Sequence, residues 1–307
     1  MKKGVHPTDM PFPIALSLEP TTACNLGCSQ CPSGLKSFSR PTGNLPIEEG
    51  KKWLTELKDY LFYVNFYFQG EPLIHPKLSE LIEHANTLNV RSAISTNGHF
   101  LSEKKCQELI DAQLSKIIIS LDGLTQESYE KYRSGGELDK VLKGIKTLKR
   151  KKKENKAAWP LIEVQFIVFK QNEHEIPQLK KAAKNLGADV LSLKTAQIYD
   201  QSSAEELLPK NKKHLRYNQN ETGEYVLKNT FENQCWRMWS SAVITQNGAV
   251  VPCCFDKDAE YEMGDLQSDD YKNILNGTTY KAFRQRVFSD RKSIDICRNC
   301  SEGSKIY

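Results

Sequence analysis

The sequence lacks any run of apolar residues long enough to cross a lipid bilayer, which argues against a membrane-spanning helix. Residues 1–7 are basic but lack the apolar core of a signal peptide, so the usual mark of export is missing. A strong charge of one sign is also missing, because a formal net charge of +5 is small for 307 residues. These absences predict a cytoplasmic protein that makes no contact with a membrane.

Most of the basic excess falls in residues 149–156, a stretch that lacks interleaved aromatic side chains. Such a run is either a binding patch for nucleic acid or the solvated end of a helix. The second interpretation is favoured, because charge runs are more often solvated surface. This pattern therefore disfavours nucleic acid as a partner.

Short β-rich runs alternate with longer amphipathic patterns from residue 14 to about residue 195, which predicts an α/β fold with repeated βα units and a parallel sheet. The predicted strands are 14–18, 63–68, 90–95, 116–121, 161–169 and 190–194. The predicted helices are 47–60, 76–88, 103–112, 138–152 and 175–186, each with apolar residues at steps of three and four.

Nine cysteines are present, and eight of them fall in tight groups. Without an export signal, the reducing cytosol favours metal ligation over disulfides. Cys106 stands alone and is predicted to be a buried helix residue.

The first group, Cys24, Cys28 and Cys31, occupies a short loop directly after the first predicted strand. Thiolates are soft ligands that suit zinc or an iron-sulfur cluster. A structural zinc ion requires four closed ligands, whereas a four-iron cluster held by three cysteines leaves one iron open. A zinc site whose fourth ligand comes from elsewhere remains the alternative.

The CxxxCxxC spacing after a first strand resembles the radical S-adenosylmethionine (radical SAM) superfamily. The resemblance implies an open (β/α)6 partial barrel and a 4Fe-4S cluster on these three cysteines. It also implies that the open iron binds S-adenosylmethionine, which the reduced cluster cleaves to methionine and a 5'-deoxyadenosyl radical. That radical abstracts a hydrogen atom from the substrate. A one-electron donor such as flavodoxin or ferredoxin is the implied partner.

Parallel barrels place their chemistry at the carboxyl ends of the strands. The stretch after the second strand resembles the family segment that binds the amino group of S-adenosylmethionine, although glutamine replaces the usual first glycine. The turns after the third and fourth strands resemble segments that contact the ribose and the carboxylate. Ser120 and Arg133 are the candidates for the methionine carboxylate, with a surface ion pair as the alternative for Arg133. The implied contacts are Gln69, Gly70, Glu71, Pro72, Ser95, Asn97, Ser120, Asp122 and Arg133.

Later strands carry three more polar candidates, Gln165, Lys194 and Gln197, but strand parity leaves open which face of the sheet they occupy. No general base is identified. Residues 196–234 lose the βα alternation and are polar, which predicts a connecting segment that is well placed to cover the open side of the barrel.

The second group of cysteines lies in the last quarter of the chain. Two β runs around Asn247-Gly248 predict a hairpin that brings Cys235 and Cys253 together, and a helical stretch over 269–288 returns the chain to Cys297 and Cys300. Four thiolates suit zinc or a second cluster.

After a radical SAM motif, this arrangement resembles the SPASM and twitch domains that carry auxiliary clusters. The full SPASM pattern has seven cysteines, whereas this region has five, which implies one auxiliary 4Fe-4S cluster. Its implied ligands are Cys235, Cys253, Cys297 and Cys300, with Cys254 as a neighbour or a substitute. The predicted domains are therefore 1–195, 196–234 and 235–307.

The layout resembles the radical SAM dehydrogenase of aminocyclitol antibiotic synthesis. That resemblance implies a radical SAM oxidoreductase that oxidises a small molecule, with the auxiliary cluster accepting the second electron. The modification of a peptide or protein is the alternative. A third hypothesis is a zinc-binding module without catalytic activity, which contacts nucleic acid through the basic run.

Overall fold

The computed structural model describes residues 13–199, 201–228 and 232–301, so the N-terminal residues used in the export argument lie outside the described ranges. Across those ranges the strands form one nine-stranded sheet and one two-stranded hairpin. The strands are β1 Ala15–Leu18, β2 Tyr63–Asn65, β3 Arg91–Thr96, β4 Lys116–Ser120, β5 Leu161–Val168, β6 Val190–Thr195, β7 Tyr217–Gln219, β8 Tyr225–Leu227, β9 Ser241–Ile244, β10 Ala249–Val251 and β11 Gly264–Asp265. The helices are α1 Pro32–Leu35, α2 Ile47–Leu57, α3 Leu78–Thr87, α4 Glu103–Asp111, α5 Gln126–Glu130, α6 Leu138–Glu154, α7 Ile176–Leu186, α8 Ala204–Leu207, α9 Arg237–Ser240, α10 Tyr271–Asn276, α11 Thr278–Asp290 and α12 Asp295–Arg298.

The first six strands are parallel and neighbour one another in chain order, as the βα alternation predicts. The predicted α/β fold is therefore confirmed. Strand β2 is shorter than predicted and ends at Asn65 rather than Phe68. The amide of Phe66 still donates to the Ala93 carbonyl at 2.8 Å, and beyond it the chain leaves the sheet toward Gly70.

The two faces of the sheet have different side chains. One face is apolar and fully buried beneath helices α2, α3, α4 and α6, with residues such as Leu16, Val64, Ile94, Ile117 and Val164. The alternate positions are polar or half-buried and face away from the helices, among them Ser17, Asn65, Ser95, Ser120, Glu163, Gln165 and Ser192. Because Gln165 pairs in register with Ser120 and Ser192, it lies on this second face.

The predicted hairpin around Asn247 is confirmed, because β9 and β10 pair antiparallel and Gly248 has a positive φ of 99°. Strand β9 also pairs in parallel with β1, with Ala15 opposite Ser241. The hairpin of the second cysteine group therefore continues the main sheet. This pairing places the end of β9 beside the end of β1, where the first cysteine loop begins.

The prediction of a single helical stretch over 269–288 is wrong in one respect. Two helices, α10 and α11, occupy it, with Gly277 between them. Gly277 has an extended backbone, with φ −65° and ψ 160°, and it caps the start of α11. A glycine lowers the cost of leaving the helix at this point, so the stretch divides there.

The basic run is the end of α6, as the favoured interpretation predicts. Arg150 pairs with both Glu103 and Glu154, and Lys152 pairs with Asp189 at 3.4 Å. Lysines in the last helical turn also complement the helix dipole. These pairings compensate much of the positive charge, which weakens the nucleic-acid hypothesis.

Two further predictions about the helices can be compared with the structure. Cys106 is fully buried on α4, as predicted. In the part of the chain that the structure describes, each helix is too short or too polar to cross a membrane.

Candidate active site

The first cysteine loop lies at the carboxyl end of β1. The amide of Gly27 donates to the Ser134 carbonyl at 2.9 Å, and the amide of Cys31 donates to the Cys28 carbonyl at 3.2 Å. The three cysteines pack in one cluster with Leu26 and Tyr132. Sequence spacing and backbone hydrogen bonds thus hold three thiols beside one another at the chemical edge of the sheet.

The loop after β2 approaches this cysteine loop so closely that it requires glycine. Gly70 has a φ of 74°, and a Cβ there would lie 2.2 Å from the carbonyl oxygen of Thr21. Its amide donates to the Ser33 hydroxyl at 2.8 Å, and the Glu71 amide donates to the Ala23 carbonyl at 2.8 Å. Pro72 begins a short 3₁₀ turn, and Gln69 is buried beside this contact.

Glu71 connects the loops after β2 and β3. Its carboxylate accepts hydrogen bonds from the Thr96 hydroxyl and from the Asn97 amide, both at 2.7 Å. Asn97 then reaches the cysteine loop, where its side-chain amide donates to Asn25 Oδ1 at 2.8 Å. Glu71 is fully occupied by protein donors, so the structure gives it a role in positioning the loops. Ser95 directly precedes Thr96 on β3 and lies on the polar face of the sheet.

Arg133 forms a buried ion pair with Asp122 and is not the surface bridge of the alternative reading. Its Nη2 lies 2.5 Å from Asp122 Oδ2, and Asp122 is fully buried. The remaining Nη1 lies 3.8 Å from Cys28 Sγ. Ser120 is the last residue of β4, two positions before Asp122, and it is buried on the polar face of the sheet. Asp122 therefore fixes a guanidinium against the cysteine loop.

The second group of cysteines assembles from three separate segments. Cys235 precedes α9, Cys253 follows β10, and Cys297 and Cys300 flank the end of α12. Cys235 and Cys300 both lie close enough to Cys253 and to Cys297 to raise the pKa of each of these thiols. The four proposed ligands are thus mutual neighbours. Cys254 is exposed and also acts on Cys253.

The connecting segment joins the two groups of cysteines. On one side the Tyr199 amide donates to Gln30 Oε1 at 3.1 Å, within the first cysteine loop. On the other side the Asn299 side chain, between Cys297 and Cys300, donates to the Ile198 carbonyl at 2.6 Å. Gln197 also contacts this terminal turn, since its amide donates to the Asn299 carbonyl at 3.4 Å. The connecting segment, which the sequence marks only as polar, therefore contacts both groups of cysteines.

The chemistry of the donor sets fits iron-sulfur clusters. Burial raises the pKa of the Cys24 and Cys297 thiols to about 11, and it also raises the pKa of Cys28 and Cys253. These groups are neutral thiols at pH 7 unless a metal displaces their protons. Within the described ranges, no three Cys, His, Asp or Glu side chains converge on a point that a single metal ion would occupy. Donor sets made of cysteine thiols alone suit an iron-sulfur cluster, which is held by thiolates.

Sequence reasoning missed three residues of this region, Lys257, Arg216 and Tyr199. The Lys257 ammonium lies 4.1 Å from the centre of the Tyr199 ring, and the Arg216 charge acts on both. They lie in irregular segments without a motif, and the position of Lys257 soon after Cys254 was the one available signal. Lys194, which was a candidate, is an exposed residue near the end of β6.

Fold and site together define a protein with two thiol centres on a parallel α/β sheet, and comparison with known families agrees. The sequence model of the Radical SAM superfamily matches residues 18–183, more than half of the chain. That of SPASM, an iron-sulfur cluster-binding domain, matches residues 235–301. The chain belongs to the radical SAM superfamily and carries a C-terminal SPASM domain. The first domain accordingly binds a 4Fe-4S cluster and S-adenosylmethionine, and the second domain binds auxiliary iron-sulfur clusters.

The chain is similar to several characterised proteins. It is 29% identical over 177 residues to the AdoMet-dependent heme synthase of Methanosarcina barkeri, covering 57% of this chain and 48% of that protein. It is 27% identical over 311 aligned positions to the subtilosin biosynthesis protein AlbA of Bacillus subtilis, covering 94% of this chain and 66% of AlbA. The chain thus spans about half to two thirds of these relatives. Among solved structures, BtrN with AdoMet and 2-DOIA superposes with a TM-score of 0.57 at 19% identity, over 95% of this chain and 94% of BtrN.

Proposed function

We propose that this chain is a radical SAM oxidoreductase that carries out a two-electron oxidation of a substrate held between its two iron-sulfur centres. The observation that supports this most is the connecting segment. Its hydrogen bonds from Tyr199 to Gln30 and from Asn299 to Ile198 bring both groups of cysteines to adjacent residues of one segment. A substrate there would lie within reach of both centres.

Cys24, Cys28 and Cys31 would hold the first cluster. The backbone of Gly70 to Pro72 would bind the amino group of S-adenosylmethionine, and Ser120 and Arg133 its carboxylate. Asp122 keeps the guanidinium aimed at the cysteine loop, and Glu71 keeps Thr96 and Asn97 in place beside it. Ser95 and Asn97 would contact the ribose of S-adenosylmethionine. The bound cluster and S-adenosylmethionine would together supply the 5'-deoxyadenosyl radical, with flavodoxin or ferredoxin as the electron donor.

Cys235, Cys253, Cys297 and Cys300 would hold a single auxiliary 4Fe-4S cluster, which supplies an acceptor for one electron. The hydrogen atom would go to the 5'-deoxyadenosyl radical, the proton to a base or to water, and the remaining electron to the auxiliary cluster. The substrate would then lose two hydrogens, which equal two protons and two electrons. The conversion of an alcohol to a ketone in a small molecule is a reaction of this kind. Because Arg291 donates to Cys300 Sγ at 3.4 Å, a fixed positive charge would accompany this centre.

A peptide substrate is the second candidate. It is favoured by AlbA, a bacteriocin biosynthesis protein that aligns with nearly the whole chain. A cavity of about 670 Å³ also lies beside the connecting segment, with Lys170, Lys210 and Lys212 among its lining residues. That volume is in the range of ligand pockets and is sufficient for peptide side chains.

The experiment that tests the proposal is 5'-deoxyadenosine release from S-adenosylmethionine by anaerobically reconstituted, reduced protein. Wild type and Cys106→Ala should release it, whereas Cys24→Ala should not. Candidate small molecules and peptides are then screened by mass spectrometry for the loss of two hydrogens. Iron-loaded wild-type protein that releases no more 5'-deoxyadenosine than Cys24→Ala would contradict the proposal.

A further inference from the structure

The loop after β10 holds Lys257 beside the first cysteine loop. Arg40 Nε donates to the Lys257 carbonyl at 3.1 Å, and the backbone amide of Ser39 donates to the Asp258 carboxylate at 3.0 Å. Arg40 is itself held by a buried ion pair with Glu19 at 2.6 Å. The backbone of Lys257 is therefore fixed from both sides, and its side chain begins from a defined position.

The Lys257 side chain is half-buried and lies over the Tyr199 ring at 4.1 Å. Such a contact orients the ammonium without neutralising its charge. The thiols of Cys31 and Cys254 and the guanidinium of Arg216 lie near this ammonium. Among the residues that the structure describes, no carboxylate forms an ion pair with Lys257.

Arg216 brings a second cation to the same place. Its guanidinium donates to the Ser301 side chain, while its Nε is buried and has no hydrogen-bond partner within the described ranges. A buried donor without a partner costs free energy unless a ligand or water accepts from it. Two cations near each other also repel, so an anion between them would be favoured.

The acids of the surrounding region do not supply that anion. On the loop of Lys257 itself, Asp256 accepts hydrogen bonds from the backbone amides of Glu260 and Tyr261, and Asp258 accepts from the amide and hydroxyl of Ser39. The buried carboxylates of Glu19 and Asp122 pair with Arg40 and Arg133, respectively. The positive charge of Lys257 and Arg216 is therefore not matched by a carboxylate of the described chain. Lys257 lies near the thiols of Cys31 and Cys254, one from each group of cysteines, where the proposed substrate would lie.

We propose that Lys257 and Arg216 bind a carboxylate of the substrate, which makes the substrate an acid and fixes its position between the two iron-sulfur centres. This inference rests on the proposed function, because it names the substrate class of the same site. A carboxylate can accept charge-assisted hydrogen bonds from both side chains at once. The acid is either a small molecule or an acidic side chain of a peptide, and the two are separated by the choice of probe.

The test is the dissociation constant of defined probes on full-length, reconstituted protein with S-adenosylmethionine. The probes are succinate, N-acetyl-glutamate N-methylamide and the uncharged N-acetyl-glutamine N-methylamide. Lys257→Met removes one charge-assisted contact. It should therefore bind an acidic probe about tenfold more weakly than wild-type protein does. Lys257→Arg should recover most of that loss, and Lys140→Met, on the exposed face of α6, should leave binding at the wild-type value.

Preference for succinate would indicate a small acid, and preference for the glutamate probe would indicate a peptide. Equal binding of the glutamate and glutamine probes, or no effect of Lys257→Met, would overturn the inference. The same variants are compared by the affinity for S-adenosylmethionine and by the paramagnetic resonance signal of the reduced protein. An equal loss in either readout would also overturn it, because Lys257 would then serve S-adenosylmethionine or the cluster. Wild-type protein that holds iron and releases 5'-deoxyadenosine but binds no acid refutes this inference alone, whereas absence of that release refutes the proposed function.

Discussion

The hydroxyl of Tyr217 donates a hydrogen bond of 2.8 Å to Asn299 Oδ1, and thereby joins the connecting segment to the turn between Cys297 and Cys300. The same hydroxyl accepts from the Ile198 amide at 3.1 Å. Tyr217 is buried, so both bonds are shielded from water. One side chain thus links the connecting segment to the proposed auxiliary centre.

Tyr217→Phe should lower the free energy of unfolding by about 1–3 kcal/mol, because it leaves the buried amide of Ile198 and the half-buried side-chain oxygen of Asn299 each without one partner. It should also reduce the retention of iron at the auxiliary centre. Chemical denaturation and iron analysis measure the two effects. Tyr225→Phe is the matched control, and an equal loss in both variants would show that the hydroxyl of Tyr217 has no special role.

Gly70 and Gly135 form a natural pair for a test of close approach. Both have a positive φ, of 74° and 77°, but a Cβ at Gly135 meets nothing within 4 Å, whereas one at Gly70 would lie 2.2 Å from the Thr21 carbonyl oxygen. Gly70→Ala should therefore be less stable than Gly135→Ala by about 1–3 kcal/mol. Thermal unfolding of both variants measures the difference. Equal costs would mean that the backbone φ alone requires glycine at both positions.

Arg133 and Asp122 should behave as one unit. Arg133→Met leaves the fully buried Asp122 carboxylate without its cation and should destabilise the protein by about 3–5 kcal/mol. The double variant Arg133→Met/Asp122→Leu should lose much less than the sum of the two single changes. Affinity for S-adenosylmethionine, measured on the same set, should fall whenever Arg133 is replaced. Strict additivity of the unfolding free energies would contradict the coupling.

His75 should make stability depend on pH. Burial lowers the pKa of His75 from its ordinary value of 6.5, and its ring contacts the Leu45 carbonyl at 3.0 Å and the Lys77 amide at 3.2 Å. As the pH falls below 6.5, the His75 imidazole takes up a proton in the unfolded state while it stays neutral in the folded state. The stability that His75 contributes above pH 6.5 is therefore lost as the pH falls toward the folded-state pKa. His75→Gln should flatten this part of the curve of unfolding free energy against pH. An unchanged curve would show that another group, such as His99, causes the dependence.

Local patterns predicted the parts of this structure that depend on near neighbours in the chain. The alternation of apolar residues placed β1 to β6 within a few residues, and Asn247-Gly248 placed the second hairpin. The cysteine spacing alone indicated the family. These features were accessible because periodicity and turn chemistry act over short distances.

The features that local patterns could not provide depend on pairing over long distances. Nothing in β9 marks it as the neighbour of β1, and nothing in the sequence of the connecting segment shows that Ile198 meets Asn299. Lys257 and Arg216 lie in irregular segments, and only the fold brings their charges together. The break at Gly277 was accessible in principle, because glycine is a poor residue for a helix interior.

The central claim is that the chain holds two separate iron-sulfur centres, and iron and sulfide content with paramagnetic resonance of the reduced protein tests it most directly. Reconstituted wild type and Cys106→Ala should each hold about eight irons, the number expected for two four-iron clusters. Cys24→Ala/Cys28→Ala/Cys31→Ala should hold about four and keep only the signal of the auxiliary centre. Zinc in place of iron in well-reconstituted wild type, or an iron content that the triple variant leaves unchanged, would contradict the account.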